Sequence, residues 1–200
     1  MIEYIAGEFT EKKPSYICVE SCGLGYQVQV SLNTFSDVKD QFEGKLLTHY
    51  SVSVDVRSGE SKHQLFGFSS NLERQIFRQL ISISGISSSI AMMILSSFKA
   101  SEFESIVISG DSKTLTAVKG IGPKVAQKII TELGGKFGKD EKFLDEPSNT
   151  GNSLRQEALS ALNALGFDRA ASVKVINAIM QKPDAPENVE SLIKHALKQL

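Results

Sequence analysis

The feature of this 200-residue chain that most restricts its fold is a repeat with a period of 35. Leu80-x-x-Ile83-Ser84-Gly85-Ile86-Ser87-x-x-x-Ala91-x-x-Ile94-Leu95 lies over Leu115-x-x-Val118-Lys119-Gly120-Ile121-Gly122-x-x-x-Ala126-x-x-Ile129-Ile130 without a gap. Apolar positions, the first glycine and the alanine coincide, as expected when one supersecondary unit is used twice. The pattern is that of a helix-hairpin-helix. A helix ends, a hairpin turns on glycine, and a second helix begins. In the second copy Pro123 opens that helix, where the missing N–H costs nothing. Gly120 and Gly122 are expected to adopt positive φ and to bring the backbone close to a ligand.

The chemistry follows from that geometry. Free N–H groups of the turn and of the new helix converge on one point, and the helix dipole adds partial positive charge, so an anion fits there. Lys119, Lys124 and Lys128 surround the second hairpin, which makes a nucleic-acid phosphate the expected anion. Contacts of this kind position a protein on DNA without reading bases. The candidate DNA-binding residues are Gly85, Ile86, Ser87, Ser88 and Ser89 in the first copy. In the second they are Lys119, Gly120, Ile121, Gly122, Pro123, Lys124 and Lys128, with Ile86 and Ile121 packing between the helices of their own copies. Ser87 replaces the second glycine, and Ser88-Ser89 stand where Pro123-Lys124 stand. A hydroxyl still donates to phosphate but a charge is gone, so the first hairpin is expected to bind more weakly. A lone Gly-Ile-Gly also reads as an ordinary helix turn; a second copy in register is what argues for DNA.

Composition bounds the rest. Lys and Arg total 22 against 23 Asp and Glu, a formal charge of −1, so no global field draws the chain to nucleic acid or membrane. The distribution is uneven: residues 70–138 carry 8 bases and 5 acids, between two acidic flanks. A basic middle is a weak pointer to phosphate. No apolar stretch nears the roughly 20 residues that span a bilayer. Met1-Ile-Glu-Tyr-Ile-Ala-Gly-Glu-Phe9 carries acids where a secretory signal carries bases. A cytoplasmic location is expected. Cys18 and Cys22 are too few for a disulfide framework and lack partners for zinc, so they read as packed side chains.

Before the repeat the period is 2. Ile2 to Phe9, Tyr16–Glu20, Tyr26–Val30, Leu46–Val54 and Gln64–Phe68 read as five strands, with Cys22-Gly23-Leu24-Gly25 as a tight turn. Five short strands in residues 1–69 suit an OB-like β-barrel. After Phe68 the period becomes helical, with capping signals at Ser70-Asn-Leu-Glu73 and Ser101-Glu-Phe-Glu104, and stops at Gly110 and Gly134-Gly135. No strand is expected beyond this point. Residues 70–138 form the tandem helix-hairpin-helix domain. Residues 139–152 are polar and turn-rich and read as a flexible linker. Residues 153–200 read as a three-helix module over Leu154–Leu165, Asp168–Met180 and Glu187–Leu200, capped at Ser153-Leu-Arg-Gln156 and broken by Pro183 and Pro186. So small a core suits docking better than catalysis. The expected class is α+β and multidomain.

That order of parts, with Gly23-Leu-Gly-Tyr26, Leu65-Phe-Gly-Phe68 and Leu162-Asn-Ala-Leu-Gly-Phe167, resembles the RuvA family over the whole chain. These are the Holliday-junction-binding subunits of bacterial RuvAB branch-migration machines, active in recombination and repair. The resemblance implies a homotetramer holding a four-way DNA junction open, with one or two tetramers enclosing it. It implies a UBA-like third domain that recruits the RuvB hexamer, the ATPase motor, and it brings the RuvC resolvase as a further partner. The family's apolar RuvB contact carries over to Leu162, Leu165, Ile179 and Leu197, residues that alternatively fill the small core. The family's acidic pin on a barrel hairpin carries over to Asp55 and Glu60. Here the segment is longer, its acids are not adjacent, and Arg57 and Lys62 partly cancel them, so an ordinary solvated hairpin is the alternative.

Two other classes compete. A base-excision glycosylase needs a buried catalytic Asp some twenty residues past the hairpin; Asp140 stands near that spacing but in a charged run that holds no carboxylate in place. A DNA-tethering module of some nuclease or ligase explains the hairpins but not the barrel and tail. His49, His63 and His195 stand apart in sequence from any nucleophile or ligand set. The chain has no Gly-x-x-x-x-Gly-Lys-Ser/Thr loop. No catalytic residue, metal or cofactor is expected.

Overall fold

The computed structural model describes residues 1–54, 59–137, 150–181, 186 and 188–200. Asp55, Arg57, residues 139–149 of the expected linker and Pro183 lie outside the described residues. The chain forms two compact units, Met1–Phe143 and Leu144–Leu200. Among the described residues no helix is long and apolar enough to cross a membrane.

The first unit opens with strands β1 (Tyr4–Lys13), β2 (Tyr16–Ser21), β3 (Leu24–Val30), β4 (Glu43–Val54) and β5 (Ser61–Phe68). They close a barrel in the order β1-β2-β3-β5-β4, with β4 returning to pair with β1. Alternation drives this. Ile5 and Phe9, Ile17 and Val19, Val28 and Val30 each send one face inward, and with Leu46 and Val38 they fill the barrel. β1 serves two neighbours, β4 along its first half and β2 along its second, with a bulge between Phe9 and Glu11 that turns it. The early turn differs from expectation. Its positive-φ residues are Cys22 and Gly23, at 52° and 78°, a two-residue connection whose twist matches the strands. Gly25 instead lies in β3 opposite Glu20.

A short helix, α1 (Leu32–Val38), stands between β3 and β4, where no element was expected. Thr34 and Val38 are buried and Phe35 packs beside them against the barrel core, and the helix's Ser31 cap accepts from the Thr34 N–H at 3.0 Å.

Helices α2 (Asn71–Ser82), α3 (Ser88–Ser97), α4 (Ala100–Ser109), α5 (Ser112–Thr116) and α6 (Pro123–Phe137) complete the unit. The two repeat copies share one core, and β5 contributes to it: Phe66 and Phe68 set their rings 4.9 and 5.0 Å from that of Phe77 on α2. Barrel and helices are thus joined by buried aromatic area, at about 1.5–3 kcal/mol per fully buried ring. Two helix signals are corrected. α4 is capped by Lys99, whose N–H donates to Glu102, so the signal at Ser101 lies inside the helix. Gly134-Gly135 does not stop α6, which runs to Phe137. Leu133 and Phe137 are four apart and both buried, and that burial outweighs a glycine cost of about 1 kcal/mol each. Gly110, at φ 74°, does end α4.

The second unit is three helices, α7 (Thr150–Ala164), α8 (Arg169–Met180) and α9 (Val189–Leu197), around Ala158, Leu162, Ile176, Ile179, Leu192 and Ala196. α7 begins three residues before the expected Ser153 cap and takes in the end of the expected linker. Gly151 and Asn152 thus fall in its first turn. Gly166, at φ 91°, closes α7, and the Phe167 N–H reaches back to the Leu162 carbonyl at 3.1 Å.

Candidate nucleic-acid interface

The repeat in sequence is a repeat in geometry. Gly85 and Gly120 sit at φ 94° and 91°, in the left-handed region that other residues occupy at a cost. The N–H groups of Ile86 and Ile121 return to the carbonyls of Ile83 and Val118 at 3.0 and 3.1 Å. Both isoleucines are buried, as are Ala91 and Ala126, whose N–H groups bond Ser87 and Gly122 at 3.0 Å in each copy. The turn is locked from below by apolar packing while its outer rim stays in solvent. Gly85, Ser87, Ser89, Lys119, Gly120, Gly122, Pro123 and Lys124 are exposed, and Ser88 is half-buried.

One expectation about this turn is corrected. Gly122 is not at positive φ; the left-handed residue of its hairpin is Gly120. Position 122 is the N-cap of α6, and its partner in the first copy, Ser87, holds an ordinary extended conformation at φ −81°. A Cβ on Gly122 meets nothing within 4 Å. A side chain at that position would stand in open space beside the first turn of α6. Ser87 uses the same position differently, its Oγ accepting from the Ile90 N–H at 3.3 Å. That bond occupies one of the amides an anion would use, while the hydroxyl hydrogen stays available to donate. Gly122 leaves the corresponding amide of α6 uncapped by its own residue.

Lys119 and Lys124 flank the second hairpin in solvent. Lys128 is half-buried, with its Nζ donating to the Ser84 carbonyl of the first hairpin at 2.7 Å and 3.8 Å from Glu132.

The barrel sets where the first hairpin's helix lies. Asn33 on α1 donates its Nδ2 to the carbonyls of Leu95 and Phe98 at 2.6 and 2.9 Å, satisfying acceptors that the end of α3 leaves open. The Leu32 N–H donates to Ser96 Oγ at 3.1 Å. Glu73 on α2 accepts from Ser31 and Thr34, and burial pushes its carboxyl above the ordinary carboxylate range against the pull of those hydroxyls. On the other side, the Arg74 guanidinium is buried against Glu3 and also donates to the Glu3 carbonyl at 3.1 Å. Ser31, Asn33 and Glu73 were missed as positioning residues. Ser31 before Leu32 is a capping signal that could have revealed α1; Glu73 reads in sequence only as a capping-box acid.

The barrel arm runs β4 against β5 out to the pair Val54–Ser61, and Glu60 stands exposed just beyond, after Gly59 at φ 72°. Asp55 lies outside the described residues. In the second unit the four candidate partner residues divide. Leu162 and Ile179 are buried, on the inner faces of α7 and α8; Leu165 and Leu197 are 61% and 41% exposed. The histidines are each engaged locally: His49 edge-on to Phe77, His63 bonded to the Tyr50 hydroxyl at 2.5 Å, and His195 near the Ser191 carbonyl at 2.8 Å. Among the described residues no group of three or more His, Cys, Asp or Glu is placed to hold a metal ion.

Comparison with known proteins accounts for all three parts. The RuvA N terminal domain matches residues 1–67, a SAM-like helix-hairpin-helix tandem residues 77–134, and the RuvA C-terminal domain residues 153–200. Proteins named Holliday junction branch migration complex subunit RuvA are similar end to end. That of Christiangramia forsetii is 42% identical over 204 residues, covering 100% of both chains. That of Amoebophilus asiaticus is 40% identical over 199 residues, covering 99% of this chain and 100% of its own. That of Parabacteroides distasonis is 40% identical over 203 residues, covering 100% of both. With its closed five-stranded barrel, its doubled hairpin and its three-helix tail matched in order, and with relatives about 40% identical along the whole chain, the chain belongs to the RuvA family.

Proposed function

We propose that this chain binds four-way DNA junctions as a homotetramer, its hairpins gripping the phosphates of the arms, and that it is a non-catalytic subunit of a branch-migration complex. The observation that carries this reading is the pair of hairpins with the same turn, the same buried isoleucine and the same exposed rim. Each offers helix N-terminal amides to an anion, and Lys119 and Lys124 add charge at the second. Such contacts grip a backbone of any sequence, as a junction that migrates through a sequence demands. The names of the relatives, subunits of a Holliday junction branch migration complex, support the same assignment.

Within that reading Glu60 is the acid at the junction centre, where its charge repels phosphate. Leu165 and Leu197 form the apolar contact for the RuvB ATPase, and RuvC is the resolvase that shares the junction. The site of action is the cytoplasm. Binding of the purified chain to a synthetic four-way junction and to linear duplex of the same length, at matched salt, tests the proposal. Junction binding tighter by a large factor is expected. Equal binding would reduce the chain to a generic phosphate-gripping module.

A further inference from the structure

Positions 93 and 128 are equivalent in the two copies of the repeat, and each reaches across to the other copy's hairpin. Lys128, on α6, sets its amine 2.7 Å from the Ser84 carbonyl, which leads into Gly85 of the first hairpin. Met93, on α3, sets its terminal methyl 3.6 Å from where a Cβ of Gly120 would stand in the second. One link is polar and the other apolar, but the register is the same. Two anion sites on separate turns grip one DNA backbone more tightly when their separation is held before binding, since ordering them afterwards costs affinity.

The Lys128 bond also orients a donor. Across a trans peptide the C=O and the following N–H point in opposite directions. Tying the Ser84 carbonyl to Lys128 therefore aims the Gly85 N–H away from the amine. One of the amine's three donors is thus committed to a carbonyl of its own chain, and Glu132 stands 3.8 Å away.

We propose that Lys128, with Met93 as its apolar counterpart, is a positioning residue that fixes the relation of the two hairpins and the orientation of the Gly85 amide. It is not one of the phosphate ligands. This rests on the reading of the hairpins as phosphate clamps.

The test compares Lys128→Met, Lys128→Arg and Lys124→Met in the full chain. It reads junction affinity against salt, and the Gly85 amide resonance without DNA. Lys128→Met should weaken junction binding about fivefold, the worth of one hydrogen bond. It should leave the slope of log K against log salt unchanged and move the Gly85 resonance in the free chain. Lys128→Arg, which keeps a donor of similar reach, should restore most of the affinity. Lys124→Met should reduce the slope by about 0.9 for each phosphate it releases. A slope lost with Lys128→Met as with Lys124→Met, or a Gly85 resonance that does not move, overturns the proposal. If the wild type shows no junction preference, the reading beneath falls, while the Gly85 resonance still decides whether the strut exists.

Discussion

Thr34, in the first turn of α1, donates its hydroxyl to the Glu73 carboxylate of α2 at 2.5 Å, and Ser31 donates to the other carboxylate oxygen. Barrel and hairpins meet over this buried acid. Its burial raises the carboxyl's pKa, the two hydroxyls oppose that, and Asp37 nearby adds to the rise. With Asn33 holding the end of α3, the contact makes the barrel the base on which the first hairpin is mounted.

Glu73→Ala leaves two buried hydroxyls without their acceptor and should cost about 3 kcal/mol in urea unfolding of the full chain. Glu73→Gln keeps an acceptor and should cost about 1 kcal/mol. The pH dependence has a definite sign. A carboxyl with a raised folded-state pKa is protonated in the native chain where the unfolded chain has released the proton. Its contribution is whole below the ordinary value of 4.5 and declines as pH rises through the raised value. Wild type should therefore lose stability relative to Glu73→Gln as pH climbs from 4.5 to the raised value, with no further loss above it. A difference that grows in favour of the wild type would be the opposite result.

At the hairpins, fold and binding should separate. Gly122→Val enters open space at a residue outside the left-handed region, so its stability should stay within about 1 kcal/mol of wild type. It should nonetheless lose most junction binding, because the valine fills the approach to the α6 amides. Ser87→Val removes a cap worth about 1 kcal/mol but should weaken junction binding much less. Paired thermal melts and gel shifts read both quantities, and equal binding losses would remove the ranking of the two hairpins.

The continuity of α6 through its two glycines gives a stabilising change. A Cβ on Gly135 meets nothing within 4 Å, so Gly135→Ala should add about 0.5–1 kcal/mol by helix propensity alone. A destabilised variant in denaturant unfolding would mean that the helix needs a glycine there.

In the second unit, burial separates the core leucine from the two exposed ones proposed as the partner contact. Leu165→Asp and Leu197→Asp change exposed residues and should leave helix content unchanged while abolishing junction-dependent stimulation of RuvB ATP hydrolysis. Leu162→Ala removes a wholly buried side chain and should cost about 2–5 kcal/mol. Circular dichroism with an ATPase assay distinguishes the two groups; full stimulation by both aspartate variants would move the contact elsewhere.

What could be read in advance follows from which signals are local. Strand alternation and the 35-residue repeat are periodic, and both predicted their elements well. The isoleucines of the hairpins are buried as their place in that repeat implies. Helix α1 is hard to read from sequence because it is only seven residues long, with Phe35 and Val38 as its apolar contacts, and its cap residue Ser31 bonds Glu73, 42 residues away. Gly134-Gly135 looked like a stop because the local preference is for one; Leu133 and Phe137 override it through tertiary burial. Gly120 and Gly122 look equivalent in sequence, where φ leaves no trace, yet only Gly120 is left-handed. Lys128 stands among lysines in sequence and beside the Ser84 carbonyl in space, a pairing that spacing alone does not reveal.

The central claim is that phosphates sit on the amides that open α3 and α6. Amide-resolved NMR of the deuterated, nitrogen-15-labelled chain titrated with a four-way junction tests it directly. The largest shifts should fall on the first-turn amides of Lys124 and Val125 and, less strongly, on those of Ser88 and Ser89. Amides there that stay unmoved, while exposed lysines elsewhere on the surface shift, would contradict the claim.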